Sequence, residues 1–273
     1  MNLYISDLDG TLLNSDAQLS QYTINNINML LKNTDINFSI ATARTPATVV
    51  PLLKDLNLKL PVIVMNGAAT YSLKESKYIH YNSIESDSVQ SIKNILDKSN
   101  ISYFTYTLKE NHIYVYFDKE LSSNQIKFMN ERKCSKLKSF IKEPLPIDSN
   151  VLYFFVMDKK SKVLSLYEEV KKIKNISAYA YEDIYDRGDC FILEIFSHKS
   201  SKANSIKRLM KENSFTNLTV FGDNLNDIPM FELAENKIAV KNAVQKLKEL
   251  STKVIDSNND NGVAKFLLNE FEL

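Results

Sequence analysis

The sequence predicts an α/β fold: a doubly wound, mainly parallel sheet interrupted by an inserted α+β unit. Three observations predict it. Short apolar runs stop abruptly at acidic or small polar residues, as where Leu3-Tyr4-Ile5 runs into Ser6-Asp7-Leu8-Asp9-Gly10-Thr11-Leu12-Leu13, the pattern of a buried strand ending in a tight loop. Such strands alternate with amphipathic helical stretches at both ends of the chain, which implies parallel pairing with the strand ends on one edge. Between them, from about residue 71, the alternation gives way to hairpin-like and aromatic-rich segments. The expected organisation is a core domain of residues 1–82 and 190–273, with residues 83–189 inserted as an α+β domain.

Composition frames this expectation. At 273 residues, 44% hydrophobic and 25% charged, the chain has the make-up of a soluble globular protein long enough for two domains. A net charge of +1 gives no electrostatic case for nucleic acid or a membrane surface. No apolar stretch approaches a membrane span, and the first residues enter a strand with no basic region and apolar signal core. Cys134 and Cys190 are few and far apart, so a reduced, cytoplasmic setting is expected. Nothing in the sequence sets an oligomeric state.

In order, Ser20 can cap a helix whose Ile24, Ile27, Leu30 and Leu31 form an apolar stripe. A strand over residues 37–41 runs into Thr42-Ala43-Arg44, and Thr45-Pro46 then opens a second helix as N-cap and first residue. Residues 61–65 read as a third strand, ending at Asn66-Gly67-Ala68. Residues 70–72 and 78–81 flank a polar turn like a hairpin. A helix over 87–98, strands at 103–107, 113–117 and 151–157, a helix through Val163, Leu166, Tyr167 and Val170, and a strand at 176–181 make up the inserted unit. Its Tyr and Phe stripe reads as core packing, and the basic cluster at 133–138 as a solvated face. After a strand at 190–196, Ser200 or Ser201 caps a helix with Lys202 in its first turn, where a cation opposes the helix dipole unless an anion sits nearby. The strand Leu218-Thr219-Val220-Phe221 ends at Gly222-Asp223-Asn224-Leu225-Asn226-Asp227. A helix then precedes a strand at 237–240, and a helix at 243–250, a strand at 254–255 and a helix at 263–271 close the core.

Several strand ends thus carry chemistry. Taken alone, Asp7, Asp9 and Gly10 suit an ordinary surface turn. Set on the ligand edge of an open α/β sheet, the two carboxylates would repel unless a hard cation such as Mg²⁺, or a shared proton, lay between them. Asp223 and Asp227 form a second acidic end, and Thr42, Asn66 and Lys202 supply hydroxyl, amide and ammonium donors. The combination describes a carboxylate Mg²⁺ site beside a phosphate cradle.

Over nearly its whole length the chain resembles the haloacid dehalogenase-superfamily phosphatases, in particular the Cof-like branch with a large inserted cap. Asp7-Leu8-Asp9-Gly10-Thr11 matches that family's DxDGT, Ala41-Thr42-Ala43-Arg44 its ATGR, and Asn66-Gly67-Ala68 the NGA after the third strand. Lys202 falls at the motif lysine, Gly222-Asp223-Asn224 with Asn226-Asp227 matches GDNxND, and Asn242-Ala243 with Gly262-Val263-Ala264 echoes the C-terminal pattern. The resemblance implies a Rossmann-like core, Asp7 as nucleophile and Asp9 as general acid and base. It also implies Mg²⁺ held by Asp7, the Asp9 backbone carbonyl and Asp223, with Asp227 steadying that shell. Thr42, the Ala43 amide, Lys202 and Asn226 would grip the phosphoryl oxygens, with Asn66 on the same edge. Arg44 would reach the substrate or brace the cap. Ala43 stands where the family usually has glycine, and Lys199 rivals Lys202 for the lysine. The implied activity is hydrolysis of a small phosphorylated metabolite, a sugar phosphate or similar monoester. A phosphomutase on the same scaffold and a non-catalytic phospho-ligand-binding protein are the alternatives. Specificity would lie in the cap, where Asp186-Arg187-Gly188-Asp189 is either a substrate contact or a hinge turn.

Overall fold

The computed structural model describes residues 1–133, 135–183 and 190–272. The chain divides into two compact units, Met1–His80 with Ser201–Leu273, and Tyr81–Ser200. The segment Asp186-Arg187-Gly188-Asp189 lies outside the described residues.

The first unit begins with β1 (Asn2–Ser6), α1 (Gln21–Asn33), β2 (Asn37–Ile40), α2 (Pro46–Leu53), β3 (Val62–Val64), β4 (Ala69–Ser72) and β5 (Lys77–Tyr81). Ser20 caps α1 by accepting from the Thr23 N–H at 3.0 Å. The second unit holds α3 (Ser86–Lys98), β6 (Tyr103–Lys109), β7 (His112–Phe117), α4 (Ser123–Asn130), β8 (Lys138–Lys142), β9 (Val151–Asp158), α5 (Lys160–Val170), β10 (Ile176–Glu182) and β11 (Phe191–Ser197). The chain then completes the first unit with α6 (Lys202–Asn213), β12 (Asn217–Gly222), α7 (Ile228–Leu233), β13 (Asn236–Val240), α8 (Gln245–Leu250), β14 (Lys253–Ile255) and α9 (Gly262–Glu270).

The central sheet runs β14-β13-β12-β1-β2 with every pair parallel. β1 lies between β2 and β12, and Leu3, Ile5, Phe38, Ile40, Val220 and Phe221 are buried, as expected of parallel strands covered on both faces. The register Ser6↔Phe221 and Ser6↔Ile40 brings the carboxyl ends of these three strands level. β3 departs from the expected third parallel strand. It joins the sheet edge through a single parallel bridge, Ala41↔Ile63, and instead forms an antiparallel sheet, β3-β4-β5. The cause is local: a left-handed turn at residues 65–67 reverses the chain immediately after β3.

The second unit is built on a six-stranded sheet ordered β10-β11-β9-β6-β7-β8. One face packs on α3 and α5 through Ile92, Leu96, Phe154, Val156, Val163, Leu166 and Leu193. The other carries an aromatic cluster, with Phe128 of α4 stacked on Phe155 at 4.7 Å and Tyr106 on Tyr153 at 4.2 Å. Sheet membership also moves a boundary. β11, expected in the core domain, is hydrogen-bonded between β9 and β10, so the second unit extends to Ser200. Short strands look alike in sequence, and only pairing assigns them. The basic cluster is likewise corrected in part: Lys133 and Lys136 are exposed, but Lys138 is buried beneath Phe140.

Candidate active site

The carboxyl edge of the central sheet gathers the acidic residues. Asp7 follows β1 directly, and its N–H donates to the Phe221 carbonyl at 2.9 Å, so the strand pairing itself sets the side chain's position. Asp7 is 5% exposed. Lys202, at the first position of α6, reaches it with Nζ to Asp7 Oδ1 at 2.5 Å and to Asp227 Oδ1 at 2.7 Å. The dipole cost of a cation at a helix start is met by these two carboxylates. Burial alone would lower the Lys202 pKa, but Asp227 and Asp7 outweigh it and hold the ammonium charged. Lys199, the rival in sequence, lies in the other unit and pairs with Glu85 at 3.6 Å.

Asp227 is fully buried and spent on bonding. Its second oxygen accepts from the Asp223 and Asn224 N–H groups at 3.0 and 3.2 Å, folding the loop after β12 back on itself. Asp223 accepts from the Thr11 hydroxyl at 3.1 Å, and the Val244 N–H holds its carbonyl at 2.8 Å. Gly10 has φ +74°, and a Cβ there would lie 2.4 Å from Asp223 Oδ2. Only glycine lets the two acidic loops approach this closely.

Asp7, Asp223 and Asp227 offer carboxylate oxygens within 4.8 Å of one another. One ammonium cannot balance three acids. Burial, then the Asp227 charge, drives the Asp7 carboxyl well above its ordinary range against the pull of Lys202. The same two causes raise Asp223 to about 7. An all-oxygen donor set with surplus negative charge fits a hard divalent cation such as Mg²⁺. Because both Asp227 oxygens are engaged, Asp7 and Asp223 are the side chains left to hold it.

The second loop faces the same edge. Thr42 is buried, and its hydroxyl oxygen accepts from the Arg44 N–H at 3.1 Å, which leaves the hydroxyl proton to donate outward. No described residue accepts from the exposed Ala43 N–H. Arg44 engages the first acidic loop. Its guanidinium grips Asp9 in a two-point ion pair, Nε to Oδ2 at 2.8 Å and Nη2 to Oδ1 at 2.5 Å, because a planar fork matches a carboxylate. Asn66 has its backbone against Thr42, and Asn226 is exposed in the turn Leu225–Asp227.

Two supporting residues fall outside the expected site. The Asn242 amide donates to the Gly10 carbonyl at 2.7 Å, and the Asn258 amide to the Leu13 carbonyl at 2.9 Å. The sequence marked Asn242 only as a motif echo, and nothing local to Asn258 announces its bond.

This geometry can be set beside known proteins. A family model of haloacid dehalogenase-like hydrolases matches residues 4–267. A 5-amino-6-(5-phospho-D-ribitylamino)uracil phosphatase of Bacillus subtilis is 27% identical over 287 residues, covering 96% of this chain and 95% of that one. A putative phosphatase of Buchnera aphidicola is 30% identical over 273 residues, covering 96% and 95%. Among solved structures, a haloacid dehalogenase-like hydrolase from Bacteroides thetaiotaomicron superposes with a TM-score of 0.79 at 18% identity, over 99% of both chains. A sugar phosphatase of subclass IIB superposes with a TM-score of 0.76 at 18% identity, over 100% of this chain and 99% of that one. With the match running nearly end to end and the acidic loops meeting on one sheet edge, the chain belongs to the haloacid dehalogenase-like hydrolase family.

Proposed function

We propose that the protein is a Mg²⁺-dependent phosphatase that hydrolyses small phosphorylated metabolites through an aspartyl-phosphate on Asp7. The observation that carries this is the buried Asp7 carboxylate, aligned by Lys202 beside Asp223 and Asp227. Support comes also from the relatives named as phosphatases, one acting on a phosphoribitylaminouracil, and from the sugar phosphatase of like fold.

In the first step an Asp7 oxygen bonds to phosphorus as the bond to the leaving oxygen breaks, and Asp9 gives that oxygen a proton. In the second, water attacks the same phosphorus, Asp9 takes its proton, and the Asp7–phosphorus bond breaks to release phosphate. Arg44 aims Asp9 for both transfers. Asp7, the Asp9 carbonyl and Asp223 would hold the Mg²⁺, which when bound neutralises charge between nucleophile and phosphate. Lys202, the Thr42 hydroxyl, the Ala43 N–H and Asn226 would hold the phosphoryl oxygens as charge redistributes. Choice of leaving group falls to the inserted unit.

The test is phosphate release from an aryl phosphate, with Mg²⁺ and with EDTA, for wild type and Asp7→Asn. Metal-dependent turnover that falls at least about 10³-fold in the variant is expected, because an amide is no nucleophile. Turnover that survives Asp7→Asn would sink the mechanism. Mg²⁺-dependent binding of phospho-ligands without turnover would favour a binding protein.

A further inference from the structure

Three consecutive residues after β3 lie in the left-handed region: Met65 at φ 52°, Asn66 at 52° and Gly67 at 88°. Only the last is glycine. A buried methionine in that region is strained, so the surroundings must hold it there. They do so from two sides. Toward the second loop, the Met65 N–H donates to the Arg44 carbonyl at 2.9 Å and the Asn66 N–H to the Thr42 carbonyl at 3.0 Å. A further bond, Ala68 N–H to the Met65 carbonyl at 2.9 Å, closes the turn.

On the other side the turn abuts the start of α6. A Cβ on Gly67 would lie 2.2 Å from the Ser201 carbonyl oxygen and 2.8 Å from the Lys202 nitrogen. The Ser205 hydroxyl, also on α6, donates to the Gly67 carbonyl at 3.1 Å in the interior. One short turn therefore touches both the Thr42–Arg44 backbone and the backbone of Lys202. These two segments lie far apart along the chain.

We infer that the Met65–Gly67 turn is a positioning element, a rigid spacer that sets the separation between the Thr42–Arg44 loop and Lys202, and that Asn66 serves it through its backbone. The inference rests on the phosphoryl-transfer reading of the same site, in which Thr42 and Lys202 grip one phosphoryl group. Donors aimed at a transition state lose most of their effect when displaced by an ångström, and left-handed backbone wedged between two partners has little freedom to yield. Asparagine is the side chain best tolerated in that conformation after glycine.

Four variants test this: Asn66→Gly, Asn66→Val, Gly67→Ala and Ser205→Ala. Asn66→Val is expected to lower kcat at least about tenfold with KM changed less than about threefold, and Asn66→Gly to restore most of that loss by keeping the backbone. Gly67→Ala should lower kcat at least about tenfold, and the milder Ser205→Ala about threefold, again with KM held. A readout that needs no activity is acylation of Lys202, followed by peptide mass spectrometry with exposed Lys199 as the internal standard. Labelling of Lys202 should rise at least about threefold in Gly67→Ala and stay at the wild-type level in Asn66→Gly. A kcat in Asn66→Gly as low as in Asn66→Val would overturn the inference and make Asn66 a side-chain ligand. Wild-type kcat and labelling in Gly67→Ala would overturn it too. Wild type inactive on every phosphate ester would defeat the proposed function, while the labelling ratio would still decide the spacer.

Discussion

At the scale of single residues the site is dominated by unequal charge, three clustered carboxylates against one ammonium. Asp223 is raised from 3.8 to about 7 by burial and then by Asp227, and Asp7 moves the same way. The metal-free folded protein therefore keeps protons that the unfolded chain has already lost. Between about pH 4 and pH 7 the contribution of this cluster to stability therefore falls as pH rises. A divalent cation replaces those protons. The expected outcome is a metal-free melting midpoint lower at pH 7.5 than at pH 5, and a Mg²⁺-induced rise larger at pH 7.5. A midpoint insensitive to Mg²⁺ at both values would mean that the cluster holds no cation. Arg44 is the second residue-scale case. Arg44→Lys keeps the charge but loses the two-point grip on Asp9, so kcat should fall about tenfold with the fold intact; initial rates beside a thermal melt check this.

At the scale of elements, β8 starts with a residue that its neighbourhood does not suit. Lys138 is 1% exposed, and burial followed by the nearby Arg132 charge lowers its pKa to about 8. A lowered ammonium pKa penalises the folded state below pH 8, and the penalty fades as pH rises to the unfolded value near 10.5. Lys138→Met should therefore stabilise the protein by about 2 kcal/mol at pH 7, with the gain vanishing above about pH 10.5. Denaturant midpoints at the two pH values decide it, and a destabilised variant at pH 7 would show that the ammonium is favourably held. A basic run in sequence looks like solvated surface because its period carries no sign of which lysine a strand will turn inward. The same limit hid α4, whose Ser122 and Gln125 form a reciprocal cap, among polar residues with one buried phenylalanine.

At the scale of the whole molecule, the first unit is discontinuous in sequence. β1 is central to its sheet and pairs with β12 along its full length, from Asn2↔Asn217 to Ser6↔Phe221, so the two terminal segments need each other. The second unit carries its own sheet and a core, from Ile84 to Ile195, drawn wholly from its own residues. A chain of residues 81–200 is expected to fold alone and melt cooperatively, whereas residues 1–80 alone should not. Circular dichroism melts of both fragments test this, and a non-cooperative 81–200 fragment would refute it.

The α/β class, the two acidic strand ends, Thr42, Lys202 and an insertion were all legible in the sequence, because strand termination at Asp and Gly and helix capping are local events set by neighbouring residues. The register of parallel strands then brought Asp7 and Asp223 together with no local signal beyond their place after β1 and β12. Tertiary structure alone decided what depends on distant pairing. It set the partner of Arg44, the engagement of both Asp227 oxygens, and the membership of β11. It also turned β3 away from the parallel sheet and bound Asn242 to Gly10. Each of these is a contact between segments far apart along the chain, and the energy that selects it comes from packing and charge that exist only once the chain has folded.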